Sequence, residues 1–262
     1  MKSKSNNTFY IVLIVIISVV TLGLVALLIV GIANKGFGFN SDNVSESLVL
    51  EQEYALGDLQ KIDATVKAGK LTVYSTQEDV AKVKFYAEKS SAADVVKSGD
   101  MLKIADRSDE CHFICFNWRG VNVEIYLPDS YDGTIKLDVD AGRMTVGDFR
   151  LASVDIKNDM GDVELGAAKN INADVDMGKL IVADCLGKLT LKNDMGDIEV
   201  RSLHLTEDSE IKLDMGNVTI DSVGDVRVDS DVELGNSNIS GGNHKSDIVL
   251  KIRNSMGNVT VR

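Results

Sequence analysis

From residue 134 onward the chain alternates apolar and polar residues over short stretches, breaks at a glycine, and alternates again. Two and four residues after successive glycines stand Met144/Val146, Val163/Leu165, Leu180/Val182, Ile198/Val200, Val218/Ile220, Ser237/Ile239 and Val259/Val261. Seven and five residues before them stand Ile135/Leu137, Val154/Ile156, Ile171/Ala173, Leu189/Leu191, Ser209/Ile211, Val228/Ser230 and Leu250/Ile252, with polar lapses at Ser209 and Ser230. Period-two alternation on both sides of a bend predicts two strands per repeat, each with one inward face. Seven residues after the glycine a third apolar column appears in Phe149, Ala168, Cys185, Leu203 and Val223.

The glycines are Gly142, Gly161, Gly178, Gly196, Gly216, Gly235 and Gly257, at steps of 19, 17, 18, 20, 19 and 22 residues. A period this regular marks a stacked repeat. Three short faces per turn of about 19 residues predict an all-β fold, a single-stranded parallel β-solenoid of triangular section. Its rungs should lie about 4.8 Å apart. Residues 62–73 have the same form around Gly69 and read as a first rung. Strand-like runs at 80–87, 101–105 and 121–127 then form an inserted cap region at about 80–130. A cap is needed because a bare terminal rung exposes unpaired backbone groups.

Columns through the bend carry the candidate chemistry. Met160, Met177, Met195, Met215, Leu234 and Met256 precede the glycine and are expected to fill the corner of the core. Copper ligation is the alternative, but the stripe has no interleaved histidines. Asp140, Asp159, Asp176, Asp194, Asp214 and Glu233 form an acidic column. Capping of turn amides is the expected role, with a calcium ladder as the alternative. The Gly-Gly-x-Gly-x-Asp form of calcium-binding β-rolls is absent. Arg143, Asp162, Lys179, Asp197, Asn217, Asn236 and Asn258 follow the glycine, and their alternating charges are expected to fix the pairing register. Cys185, in the third apolar column, reads as a buried free thiol.

The N-terminal end differs in kind. Residues 9–33 are an uncharged run of 25, longer than the roughly 20 that cross a bilayer as a helix. Lys2 and Lys4 precede it and Lys35 alone follows closely, which places the N-terminus in the cytoplasm and the rest outside. The expected organisation is a cytoplasmic tail at 1–8, a transmembrane helix at 9–33, a linker at 34–47 and an extracytoplasmic solenoid at 48–262. A cleaved signal peptide is the alternative, suggested by Gly31 and Ala33, although the apolar run exceeds a signal core.

With 28 basic and 40 acidic residues, a net charge of −12 and no basic tract, nucleic acid is excluded as an expected partner. Cys111, His112, Cys115 and Trp118 cluster in the cap region with Phe113 and Phe116. Aromatic packing, a disulfide and a metal site all remain open there, the last weakened by the missing second ligand pair. His204 and His244 stand apart with no serine elbow nearby. No residue is assigned as catalytic, cofactor-binding or metal-ligating, and no cofactor is expected.

The Ala68-Gly69-Lys70-Leu71-Thr72-Val73 rung, the Val123-Glu124-Ile125-Tyr126-Leu127-Pro128 strand and the iterated Asp-Met-Gly-Asp-Val-Glu rungs resemble the bacterial putative-adhesin family. That family is a domain of unknown function in cell-envelope proteins with a β-strand repeat. The resemblance spans roughly residues 48–262 and supplies no catalytic residues to transfer. It implies an extracytoplasmic binding, adhesion or scaffold role, and its membrane-anchored members imply a link to envelope stress. Two other readings stay in view. Self-assembly through the solenoid ends is suggested by the uncapped strand at 259–262. A carbohydrate-active β-helix could use the stacked aspartates as acid and base, but these rungs lack the loops that build a groove.

Overall fold

The computed structural model describes residues 47–57, 59–87, 93–106 and 120–262. The apolar run at 9–33, nearly all of the linker and the cysteine-containing stretch at 111–119 lie outside these residues. The described chain is all β. In order its strands are β1 (Ser47–Ala55), β2 (Lys61–Thr76), β3 (Val80–Ala87), β4 (Ala93–Ser98), β5 (Met101–Asp106), β6 (Val121–Pro128), β7 (Thr134–Val146), β8 (Phe149–Met160), β9 (Val163–Met177), β10 (Leu180–Cys185), β11 (Leu189–Met195), β12 (Ile198–Leu203), β13 (Ser209–Met215), β14 (Val218–Ile220), β15 (Arg227–Leu234), β16 (Ser237–Ile239), β17 (Val249–Met256) and β18 (Val259–Val261). All eighteen join one hydrogen-bonded sheet that coils as a solenoid-like stack.

Within the stack every pairing between rungs is parallel and in register with the glycines. Leu180 lies between Val163 and Ile198, and Leu191 between Ala173 and Ile211. The inward columns therefore meet as a continuous core in which Val163, Leu180, Ile198, Ile135 and Leu189 have no solvent exposure. The third column is present too, with Ala168 between Phe149 and Cys185, and Cys185 beside Leu203. Phe149 and Cys185 are fully buried.

The order of rungs departs from the order of the sequence. After β13 and β14 the chain skips one position and forms β15 and β16, then returns so that β17 and β18 fill the gap. β17 pairs with β13 on one side and β15 on the other, while β18 lies between β14 and β16. The C-terminal strand is thus an interior rung, not the exposed end that an uncapped terminus implies. The outermost rung is β15–β16, and Ser230 and Ser237 turn to each other there at 3.0 Å. With no further rung above them among the described residues, these inward positions can be polar.

At the other end the cap strands extend both faces of β2. β5 pairs with its first half and β6 with its second half, both parallel. Antiparallel strands close the edges: β4 on β5, β3 on β6 and β1 on β3. The sequence pattern identifies β3, β5 and β6 but not β1 and β4, whose alternation is weak because both are largely exposed edge strands.

The corner glycines hold the rungs together. At Gly178 the backbone has φ +144°, a region that side-chain-bearing residues rarely enter. A Cβ built there would sit 1.9 Å from the Gly161 carbonyl oxygen, so that oxygen occupies the space a side chain needs. The same contact repeats up the column, from Gly142 on Gly69 to Gly257 on Gly216 and Gly235 on Gly257. At Gly69 the Val121 carbonyl of the cap plays the part of a preceding rung. Gly178→Ala is expected to cost about 3 kcal/mol or more. Gly57→Ala, at φ +44° with open space around it, should cost only about 1 kcal/mol. Urea unfolding midpoints measure both, and equal losses would contradict the carbonyl contact.

Candidate functional site

The corner also explains the residue after each glycine. Asp162 Oδ1 accepts the backbone N–H of Lys179 at 3.1 Å, and Asp197 Oδ1 accepts that of Asn217 at 2.9 Å. Asn217 and Asn258 continue the ladder, each side-chain oxygen accepting the next rung's N–H, with Asn236 last. The column therefore works mainly through acceptor oxygens on backbone donors, with charge pairing as a weaker addition. Arg143 and Asp162 do approach to 3.8 Å, but both are well exposed.

A second polar set faces inward. Asn158, Asn193 and Asn254 are each 1% exposed, three residues before their glycines. Their amides donate to the corner carbonyls of Gly142, Gly178 and Gly216, at 3.4, 2.9 and 3.0 Å. Asn193 also accepts the Met195 N–H at 3.0 Å. The sequence signal for this column is the recurrence of asparagine at an inward parity, three residues before the glycine.

The methionine column is not in the core. Met160, Met177, Met195, Met215 and Met256 are 41–50% exposed, and Leu234 is 63% exposed. Inward alternation holds on a straight strand through the residue three before the glycine. Beyond it the chain is already turning, and the methionine side chain emerges outside the corner. Register pairs Met160 with Met177, Met177 with Met195, Met195 with Met215 and Met215 with Met256.

The acidic column beside it lies on the surface, and its hydrogen bonds go to lysines instead of turn amides. Asp159 accepts from Lys157 at 2.9 Å, and Lys192 bridges Asp174 and Asp194 at 3.1 and 3.0 Å. Burial, then the carboxylates of Asp138 and Asp159, push Asp140 above the usual carboxylate range. Among the described residues no three His, Cys, Asp or Glu side chains gather as a metal site.

On the third face His204 Nδ1 lies 3.0 Å from Asp184, and Arg150 reaches the same carboxylate at 3.6 Å. Ser202 Oγ is 3.5 Å from that same histidine nitrogen. Serine and aspartate thus compete for one nitrogen, whereas a nucleophilic triad places them on opposite ones. Cys185 is a buried free thiol whose Sγ donates to the Lys188 carbonyl at 3.3 Å. Burial pushes its pKa up to about 11. His244 lies in the turn after β16 and is exposed; His112 is outside the described residues.

The outer face of the sheet formed by β1, β3, β6 and β2 carries an aromatic platform. Tyr74 and Tyr126 stack with centroids 4.9 Å apart and planes at 23°, and Lys84 lies over the Tyr126 ring at 5.4 Å. Tyr126 donates to Glu124 at 2.9 Å, while Lys82 pairs with Glu53 at 3.0 Å. In the next two rungs the position of Tyr74 is taken by Gly147 and Gly166. Gly166 admits no side chain, because a Cβ would meet the Gly147 carbonyl at 2.5 Å. Asp148 Oδ1 would meet the same Cβ at 2.5 Å, and it accepts the Ala167 N–H at 2.8 Å, so a carboxylate lies over the backbone here. A further open depression of about 360 Å³ is lined by Asp197, Glu199, Asn217, Thr219, Asn258 and Thr260.

The family described as Toastrack DUF4097 matches residues 59–262. The chain belongs to this family. Among solved structures it is similar to a putative cell adhesion protein from Clostridium sporogenes, at 14% identity and a TM-score of 0.41, covering 81% of this chain and 98% of that one. It is also similar to a putative adhesin from Bacteroides fragilis, at 11% identity and a TM-score of 0.43, covering 81% and 96%. A third, a putative adhesin from Parabacteroides distasonis, has 12% identity and a TM-score of 0.28, covering 83% and 98%. No curated protein matches the chain.

Asp162→Asn keeps the acceptor that Asn217 and Asn258 use, and should leave stability within about 0.5 kcal/mol of the parent. Asp162→Lys removes it and should cost about 1 kcal/mol. Combining Asp162→Lys with Lys179→Asp moves the acceptor one rung along and should recover most of that loss in the same melts. Equal stability of all three variants would contradict the ladder. Cys185 supplies a pH test. Its folded pKa is raised, so its contribution is complete below about 9 and lost as pH rises through about 11. Cys185→Ala is expected to flatten the stability profile across that window, and an unchanged alkaline slope would count against the buried thiol.

Proposed function

We propose that the chain is a membrane-anchored, extracytoplasmic module of a bacterial cell envelope that acts by binding, adhesion or scaffolding, not by catalysis, in the setting of envelope stress. The observation that carries this reading is the stacked Tyr74–Tyr126 pair on the paired strands β2 and β6. Tyrosines on adjacent paired strands offer a large amphipathic surface already fixed in place, so little conformational freedom is lost when a partner docks. The charged residues Lys84 and Glu124 rim the rings and supply polar contacts at the edge. The partner is an envelope component or an envelope protein. The 25-residue apolar run supports the anchor, and the lysines before it support an outward-facing solenoid.

Self-association is a second reading, favoured by the outer edge of β15 and β16, each of which pairs on one side only among the described residues. Asp229, Asp231 and Glu233 on that strand oppose it with like charge. Sedimentation of the full chain in detergent tests this: concentration-dependent dimers support it, and monomers alone remove it.

The main reading is tested by retention of the detergent-solubilised full chain on cell-wall and envelope-protein fractions. Tyr74→Ala should lower retention at least fivefold, and Tyr74→Phe should keep it. Absence of retention on every fraction, or retention unaffected by Tyr74→Ala, would refute the platform.

A further inference from the structure

Five of the eight methionines of the chain stand in the exposed corner column. In the sequence Leu234 interrupts them, but the interior position of the C-terminal rung sets Met256 directly against Met215 and moves Leu234 to the outer end. The result is an unbroken run of Met160, Met177, Met195, Met215 and Met256 on five consecutive rungs, about 4.8 Å apart.

Packing does not account for sulfur at this position. The corner accepts Ala68 and Ala141 on the first two rungs and Leu234 on the last, so the fold itself tolerates other apolar residues there. Side chains nearly half exposed contribute little to a core, and five exposed apolar side chains in a line carry a hydration cost. Thioethers do have one property that alanine and leucine lack, a lone pair that selects soft monovalent metal ions. The methionine side chain is also unbranched and flexible, so sulfurs from neighbouring rungs can converge on one ion. Neutral thioethers leave the charge of that ion uncompensated. Of the carboxylates one residue before the methionines, Asp159 and Asp194 are held by Lys157 and Lys192, and Asp176 and Asp214 add negative charge beside the central rungs.

We propose that the methionine column binds a soft monovalent metal ion, Cu(I) or Ag(I), through the thioethers of adjacent rungs. Binding is ligand exchange only: the ion leaves its carrier and takes up thioether sulfurs, with no change of oxidation state and no proton released.

The test is anaerobic competition between the full chain in detergent and a chromogenic Cu(I) chelator, repeated with Ag(I) as competitor. Cys111, Cys115 and Cys185 are replaced by serine to remove thiolates that would dominate the titration. This protein should withdraw Cu(I) from the chelator, and Met177→Leu/Met195→Leu/Met215→Leu should weaken uptake at least tenfold. Met144→Leu, in the core, should change nothing. Leucine preserves the apolar stripe, so any effect reports sulfur itself, and copper-edge X-ray absorption should show sulfur neighbours that vanish in the triple variant. Should the triple variant fold poorly, Met195→Leu alone is expected to weaken uptake severalfold. Failure of the parent to take up either ion, or equal uptake by the leucine variants, overturns the proposal.

Discussion

From Gly142 onward each rung is positioned by one contact, the carbonyl oxygen of a neighbouring corner glycine filling the space in which the glycine would carry its Cβ. That contact leaves no tolerance for a side chain and none for a slipped register, since a shift of one residue would drive a Cβ into the oxygen. Parallel strands lack the tight hairpin turns that fix register in antiparallel sheets. Here the corner supplies that constraint. The glycine N–H completes it by donating to the methionine carbonyl of the following rung, as Gly161 does to Met177 and Gly216 to Met256.

The surfaces follow from the corner. The inward asparagines Asn158, Asn193 and Asn254 donate to the carbonyls of Gly142, Gly178 and Gly216 on a neighbouring rung, which pairs polar groups at the corner. The residues after the bend turn their side-chain oxygens to the next rung's amide, so asparagine serves there as well as aspartate. The sharp bend also expels the residue before the glycine, which puts the methionines on the outside. Away from the corner, the missing side chain at Gly166 leaves room for the Asp148 carboxylate, which accepts the Ala167 N–H. Contact surfaces of this protein are thus by-products of how closely its rungs approach.

Much of the fold was legible in the sequence because solenoid columns are local: Val163, Leu180 and Ile198 declare the same inward face from their distance to a glycine. What was not legible depended on geometry beyond the strand. Parity placed the methionines inside, and it fails within a residue of a bend. The rung order was hidden because the pairing of β17 between β13 and β15 spans distant parts of the chain. Its traces were present in Ser230 and Ser237, polar at inward positions on the one rung that has no outer neighbour, and in the 22-residue step to Gly257. The aromatic platform is not legible in the sequence because Tyr74 and Tyr126 are far apart along the chain, and no column links a rung to its cap.

The order of the last rungs is the most direct test of a stack governed by corner contacts. Thr219 and Asn238 both pair with Thr260, from opposite sides. In a chain with its native cysteines replaced, Thr219→Cys/Thr260→Cys and Asn238→Cys/Thr260→Cys place Cα atoms about 4.8 Å apart, within disulfide range. Thr219→Cys/Asn238→Cys places them about twice as far, beyond it. Oxidation followed by peptide mapping should show the first two crosslinks and not the third. A crosslink between positions 219 and 238, without one between 219 and 260, would mean that the rungs stack in sequence order and would contradict the account.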